Sequence, residues 1–250
     1  NLSGIVKSAT VVPLEIVTTK NWFEDKKRCL DIIIGSLGKG PFIVRSSCSD
    51  EDQITQSNAG AYLSILDVHL DNFFSAVDRV IKNYKNNDQI QEVLIQPMLK
   101  SVIRSGVAFS HDPNTCAPYR VINWSEGSDT TAITGGNTGY IWQQAAKSRN
   151  TPRPKIKSVI KLLEELYSLF GNIPIDCEFA ITNDKKIEKL WLLQVRALIL
   201  SKSPENDVSQ FDRLRIIEKK ISKGMNPHPF LLGDRTVYGV MPDWNPAEMI

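Results

Sequence analysis

Apolar positions along the chain recur with two periods, and these set the elements to expect. From Val11 to Val17 a β-branched run carrying one proline reads as a strand. After a glycine-rich break, Phe42-Ile43-Val44 within Pro41 to Ser47 is a compact buried-strand signal. Leu70, Phe73, Phe74, Val77, Val80, Ile81 and Tyr84 recur at helical spacing, with Asp67 ahead as a cap region, so an amphipathic helix is predicted there. Val93 to Ile95, Val102 to Phe109 and Tyr119 to Trp124 follow as strands separated by Pro, Asn and Gly. Ile156, Val159, Ile160, Leu163, Leu166, Tyr167 and Phe170 give a second strong helix, ended near Gly171 and closed off by Pro174. The composition turns polar after a boundary near residue 200, where Phe211 to Ile221 reads as a charged helix before a Pro/Gly-rich tail.

Two strands carry most of the chemistry. In Ile175 to Ile181, strict alternation puts Asp176, Glu178 and Ala180 on one face and Ile175, Cys177, Phe179 and Ile181 on the other. Beyond the polar turn Asn183 to Lys186, the run Leu190 to Ala197 is expected to put Gln194 and Arg196 on one face and Trp191, Leu193 and Val195 on the other. Simple hairpin pairing sets Asp176 opposite Gln194.

Two carboxylates two residues apart on a strand suit magnesium, which takes oxygen ligands from one or two carboxylates and from substrate phosphates. An ordinary solvated strand face is the competing reading for Asp176 and Glu178 alone. The neighbouring strand adds a forked cation for phosphoryl oxygens, Arg196, and an amide for orienting ligands, Gln194. That combination fits phosphoryl transfer, which is catalysed mainly by positioning and charge stabilisation. Arg45, before Ser46 and Ser47, is a second candidate phosphate contact, against the alternative of a strand-end surface salt bridge. Ser57-Asn58-Ala59-Gly60-Ala61 is a small-residue loop able to bring backbone N–H groups close to phosphate.

Composition narrows the classes. The chain has 250 residues, 42% hydrophobic and 23% charged, which is globular and long enough for one large domain or two small ones. A net charge of +2 lacks the footprint of a nucleic-acid or anionic-membrane binder, and no apolar run is long enough to span a bilayer. Four dispersed cysteines without a CxxC pair read as reduced thiols, so a cytoplasmic location is expected. Asn123-Trp124-Ser125 matches a glycosylation acceptor but falls within a strand signal. No P-loop is present, since Gly38-Lys39 runs into Gly40. His69, His111 and His228 lack ligand spacing and read as structural or exposed. The chain starts without methionine and stops within a continuing segment, so it is expected to be a piece of something longer.

The ordered set Val44-Arg45-Ser46-Ser47, Ser57-Asn58-Ala59-Gly60, Val93-Leu94-Ile95-Gln96-Pro97-Met98, Ser105 to Ser110, Asp176-Cys177-Glu178 and Gln194-Val195-Arg196 resembles the ATP-binding domain of phosphoenolpyruvate synthase and pyruvate phosphate dikinase. The resemblance covers about residues 5 to 200. It implies an α+β, ATP-grasp fold whose two lobes, with mixed or antiparallel sheets and packed helices, hold ATP between them. The implied division is an N-terminal lobe at 1–98, a C-terminal lobe with a metal-binding hairpin at 99–200, and a linker helix with the start of a further segment at 201–250.

By the resemblance, Arg45 contacts phosphates, the Ser57 to Ser64 stretch including Gly60 covers them, and Gln96 lies in the hinge near the adenine. Glu178, Asp176 and Gln194 are at or near the magnesium site, and Arg196 stabilises the transferred phosphoryl charge. Arg196, Arg45 and Gln194 are thus the expected catalytic group, and ATP and magnesium the expected cofactors. The family's acidic residue after the Gly-Val-Ala-Phe strand falls on Asp129, with Glu126 as rival. The family's upstream lysine has no good match, Lys7 being a poor substitute, and the loop between Glu178 and Gln194 is a few residues longer than usual. The family's phosphate-accepting histidine domain has no counterpart, since His111 lies on the wrong element. The implied activity is Mg-ATP cleavage with transfer to a histidine or other acceptor on another domain. A nucleotide-sensing or scaffold domain without turnover is the alternative, and an acyl-phosphate-forming ligase a third reading.

Overall fold

The computed structural model describes residues 2–47, 63–84, 91–127, 139–148, 152 and 154–224. In chain order the strands are β1 (Thr10–Val11), β2 (Glu15–Thr18), β3 (Phe42–Ser47), β4 (Ser64–Val68), β5 (Glu92–Pro97), β6 (Val102–Phe109), β7 (Tyr119–Glu126), β8 (Tyr140–Ala145), β9 (Ile175–Asp184) and β10 (Ile187–Ala197). The helices are α1 (Thr19–Glu24), α2 (Lys26–Leu37), α3 (Phe73–Lys82), α4 (Lys157–Leu169) and α5 (Asp207–Gly224). Strands β2-β5-β3-β4 form one sheet, and β1-β10-β9-β6-β7-β8 form a larger one, antiparallel except at the β1–β10 edge. Each sheet has its own apolar core and packed helices, and the molecule has the α+β class that the resemblance implies.

The four-stranded sheet packs against α1, α2 and α3, with Trp22, Phe42, Phe73, Val77 and Ile95 fully buried. Helix α3 follows its expected 3.6-residue stripe. Helices α1 and α2 were not anticipated, because each buries few residues: Trp22 in α1, Cys29 and Ile33 in α2. Their starts are nonetheless capped, the Thr18 hydroxyl accepting from Asn21 N–H at 3.2 Å and the Asp25 carboxylate from Arg28 N–H at 3.0 Å.

The larger sheet buries Ile122, Ile175, Cys177, Phe179 and Leu192 against Leu162, Leu163 and Leu166 of α4. Gly171, with φ +71°, ends that helix in the left-handed conformation expected of a glycine there. At the same end of the sheet, buried Arg120 donates to Glu164 of α4, to Asp207 of α5 and to the Ser110 carbonyl, and stacks over the Tyr167 ring. This hub fixes the first turn of α5 to the sheet. Among the described residues no helix is long and apolar enough to cross a membrane.

Two local features depart from the pattern. The run Val11 to Val17 is not one strand: β1 joins the larger sheet and β2 the smaller one. Pro13 stands at the switch, where its missing N–H and fixed φ interrupt a ladder. The first residues therefore pack with the larger sheet, Val6 lying in its core. The second departure is a bulge in β10: Leu192 pairs with Phe179 and Gln194 with Glu178, leaving Leu193 unpaired. Alternation slips by one there. Trp191, expected on the face opposite Gln194 and Arg196, shares their face, its indole N–H donating to Thr182 Oγ1 at 2.9 Å. The same bulge, together with the two-residue turn, sets Asp176 opposite Arg196 instead of Gln194.

That turn is Lys185-Lys186, with φ +49° and +69°, between the paired residues Asp184 and Ile187. Left-handed backbone at both central positions costs an ordinary side chain about 1–2 kcal/mol per residue, and Asn-Gly is the pair that relieves it. The double variant Lys185→Asn/Lys186→Gly should be stabilised by about 1 kcal/mol, raising Tm by about 2–4 °C. Thermal denaturation checks this; an unchanged or lower Tm would count against the turn geometry.

Candidate active site

The polar face of the β9–β10 hairpin looks toward β3 of the other sheet. Arg45, at the fourth position of β3, reaches across it: one guanidinium nitrogen donates in a close contact to Gln194 Oε1, and the other lies 3.8 Å from Glu178 Oε2. Arg45 and Glu178 are both largely shielded, at 19% and 29% side-chain exposure, so their attraction is screened less than that of a surface pair. The reading of Arg45 as a strand-end surface salt bridge does not describe this position. One row deeper, Arg196 Nε donates to both oxygens of Asp176, at 2.9 and 3.1 Å, with the Asp176 side chain 7% exposed. Gln96, buried on β5, donates from Nε2 to the carbonyl of the bulged Leu193 at 3.4 Å. A bulge leaves a backbone group outside the ladder, and here it provides the second tie between the sheets.

These contacts flank a cavity of about 590 Å³ between the sheets. Its walls are mostly apolar, with Val11 to Leu14, Leu94, Leu192, Leu193 and Val195, and its polar groups include Arg45, Gln96 and Gln194. An apolar slot of this size with a few convergent polar groups is the usual form of a small-molecule or cofactor site.

The structure thus brings Arg45, Gln96, Asp176, Glu178, Gln194 and Arg196 to one region. Ser64, the first residue of β4, is in register with Arg45 and exposed. Ser57, Gly60 and Asp129 lie outside the described residues. Glu126, the rival of Asp129, ends β7 in a 2.7 Å ion pair with Lys155, which holds its carboxyl below the usual range. His111 is buried against Tyr167, and burial first, then the charge of Arg120, pushes its pKa down, in keeping with a structural role. Cys177, between the two acids but facing the core, is fully buried; burial and then the charges of Asp176 and Glu178 push its thiol pKa far up, which makes it inert. Among the described residues no three His, Cys, Asp or Glu side chains cluster as a metal site.

Two contributors to this region were not anticipated. The β1–β2 switch segment lines the cavity, and Trp191 reaches the hairpin's polar face, where Lys189 Nζ sits 4.0 Å from its ring centre. Pro13 was the available signal for the first; nothing in the side-chain pattern marks the bulge behind the second.

Residues 24–144 match the family described as pyruvate phosphate dikinase, AMP/ATP-binding domain. The match covers just under half of the chain and supports an ATP-binding module. The match includes Arg45 and Gln96 and stops before the β9–β10 hairpin. No curated protein matches the chain.

Among solved structures, the D-alanine-D-alanine ligase of Helicobacter pylori is similar with 16% identity and a TM-score of 0.43, covering 82% of this chain and 55% of the ligase. The ligase of Coxiella burnetii has 11% identity and a TM-score of 0.43, over 85% of this chain and 56% of the ligase. The ACD1 protein of Candidatus Korarchaeum cryptofilum, in complex with coenzyme A, has 10% identity and a TM-score of 0.43, over 76% of this chain and 85% of that one. The chain spans about half the length of these two ligases.

Proposed function

We propose that the two sheets form an ATP-grasp module that holds Mg-ATP between them and passes a phosphoryl group to a histidine or other acceptor on a further domain, as in a dikinase-like phosphotransferase. The observation that carries this reading is the meeting of Arg45 from one sheet with Glu178 and Gln194 from the other at the polar end of an apolar cavity. The adenine suits the apolar slot beside Gln96 and Leu193, and the phosphates suit the end where the charges converge. In this module residues 1–98 supply the N-terminal lobe, apart from β1 and Val6, which pack with the larger sheet; 99–200 supply the C-terminal lobe with the metal-binding hairpin, and 201–250 a linker helix and the start of a further segment.

The donor set fits magnesium. Glu178 Oε2 and Gln194 Oε1 already converge on one cationic group, the Arg45 guanidinium, which stands where a divalent cation would be held. Both are oxygen ligands of the hard kind magnesium takes. Asp176 is engaged by Arg196 through both oxygens, so its part is to aim that guanidinium. Bound there, the metal would neutralise phosphate charge and polarise the P–O bond to be cleaved. Arg45 would move its donors from Glu178 and Gln194 to phosphate oxygens, and Arg196, held by Asp176, would face the charge that develops on the transferred group. Ser57, Gly60 and Ser64 would cover the phosphates, and Asp129 would add an acid. Free, buried thiols at Cys29 and Cys177 suit a reducing, cytoplasmic compartment.

Isothermal titration of the chain with ATP, with and without magnesium, tests the reading. Saturable binding that requires magnesium is expected; no binding in either condition would remove the assignment.

A further inference from the structure

Each sheet ends in two edge strands, and a free edge presents unpaired N–H and C=O groups to any strand that meets it. Among the described residues, the edges β1, β2 and β4 are each blunted. β1 is two residues long, with Pro13 close behind it. β2 carries Glu15 and runs directly into α1. β4 contains Asp67, at φ +54°, and its pairing with β3 slips in register. Shortness, charge, proline and irregular pairing are the ordinary protections of an edge, and β8 has none of them. Its residues Tyr140-Ile141-Trp142-Gln143-Gln144-Ala145 include no charge and no proline, and every one pairs with β7 in unbroken register. Tyr140 is 55% exposed and Ile141 68%.

One bond at the end of β8 fixes which way its backbone groups point. The Ala146 N–H donates to the Pro118 carbonyl at 2.8 Å, so by alternation Tyr140, Trp142 and Gln144 also turn their backbone groups toward β7. Ile141, Gln143 and Ala145 turn theirs outward. Among the described residues these outward groups have one backbone partner, the Ser148 N–H on the Ala145 carbonyl at 3.1 Å. Three outward positions spaced evenly about Gln143 read the same from either end of the strand. A second, antiparallel copy of β8 therefore meets them group for group. Gln143 falls opposite its own copy and Ile141 opposite Ala145 of the partner subunit, and each such pair exchanges two N–H···O bonds. The bulky Ile141 side chain faces a small one, and no charge on either strand opposes the approach.

We propose that β8 is a self-association edge, through which two copies of this chain pair antiparallel about Gln143 and join their six-stranded sheets into one. The contact is isologous, so it closes at two copies and leaves neither β8 edge free. Gln143 pairs with Val121, Val121 with Phe109 and Phe109 with Asp176, so it shares the face of the hairpin acids. Both clefts thus open on the same side of the joined sheet. β8 stands three strands from β9, about 14 Å, so the pairing does not touch Glu178. Edge pairing alone covers less than the roughly 1,200 Å² at the low end of stable interfaces, which makes the dimer weak and dependent on concentration.

Sedimentation equilibrium of the unmodified chain from about 1 to 300 µM is the test, a range set by the affinity of a small interface. The average mass is expected to climb from that of one chain toward that of two and no further. Gln143→Pro removes an outward N–H and leaves the bonds to β7 in place, and Ile141→Lys puts a charge on the edge at an exposed position. Each should weaken association about tenfold or more with little change in Tm. Gln143→Cys reads the register: Cα atoms about 5.5 Å apart suit a disulfide, so mild oxidation should link two copies, whereas Gln144→Cys, offset and on the other face, should not link them. A mass that stays at one chain throughout, growth beyond two chains, association that survives both edge variants, or linkage at Gln144→Cys in preference to Gln143→Cys would each overturn the proposal. Should Gln143→Pro fail to fold, Ile141→Lys and the two cysteine variants still decide the matter.

Discussion

Glu178→Gln is expected to lower magnesium-dependent ATP cleavage by about 10²–10³-fold with little change in Tm. The substitution keeps the size of the side chain and an oxygen for Arg45, and removes only the charge. Glu178 is partly exposed and its Arg45 contact is long at 3.8 Å, so the fold loses little. Of the acids Asp176 and Glu178 on the hairpin, Glu178 is the carboxylate that a guanidinium does not already hold in a close pair, and the site loses it. Arg196→Ala is the less clean experiment, because it leaves the nearly buried Asp176 without its Nε donor and mixes instability with lost function. Single-turnover release of the cleaved nucleotide, measured beside a melting curve, separates the two. A Glu178→Gln variant that cleaves within threefold of the parent would show that the hairpin carboxylate holds no metal.

The parts of this site that were legible in the sequence are those set by local periodicity. Period-two alternation correctly placed Asp176 and Glu178 together, because β9 is regular over the stretch that carries them. Period-3.6 stripes located α3 and α4, each of which buries one continuous face. The β10 face was read correctly at Gln194 and Arg196 and wrongly at Trp191, because one unpaired residue reverses alternation on only one side of itself. Strand β8 leaves no periodic signal because it is an edge strand with Tyr140 and Ile141 half or more exposed, so burial imposes no pattern on it. The approach of Arg45 to Glu178 spans two sheets and 133 positions of numbering, and rests on tertiary packing that no local window contains.

The Ser105 to Ser110 motif owes its glycine to a close approach between strands. Gly106 lies in the middle of β6, opposite Trp124 of β7 and Phe179 of β9. A Cβ built there would stand 2.1 Å from the Asn123 carbonyl oxygen and 2.8 Å from Trp124 Cα. Those are backbone atoms of a paired strand, so no side chain can turn aside, and the β6–β7 ladder itself must open. Gly106→Ala is therefore expected to destabilise by about 3 kcal/mol or more, lowering Tm by roughly 6–12 °C, although alanine is ordinarily tolerated in a strand. Gly35→Ala in α2 is the matched control: nothing lies within 4 Å of the added methyl, and alanine should favour the helix by about 1 kcal/mol. The two alanines should thus move Tm in opposite directions under one protocol. Any opening of β6 also shifts Val107, which lies between Glu178 and Asn123, so the Gly106 variant should lose Mg-ATP binding at temperatures where far-UV circular dichroism still reports a folded chain. A Gly106→Ala protein that melts with the parent would mean that β6 and β7 do not approach as closely as this register requires.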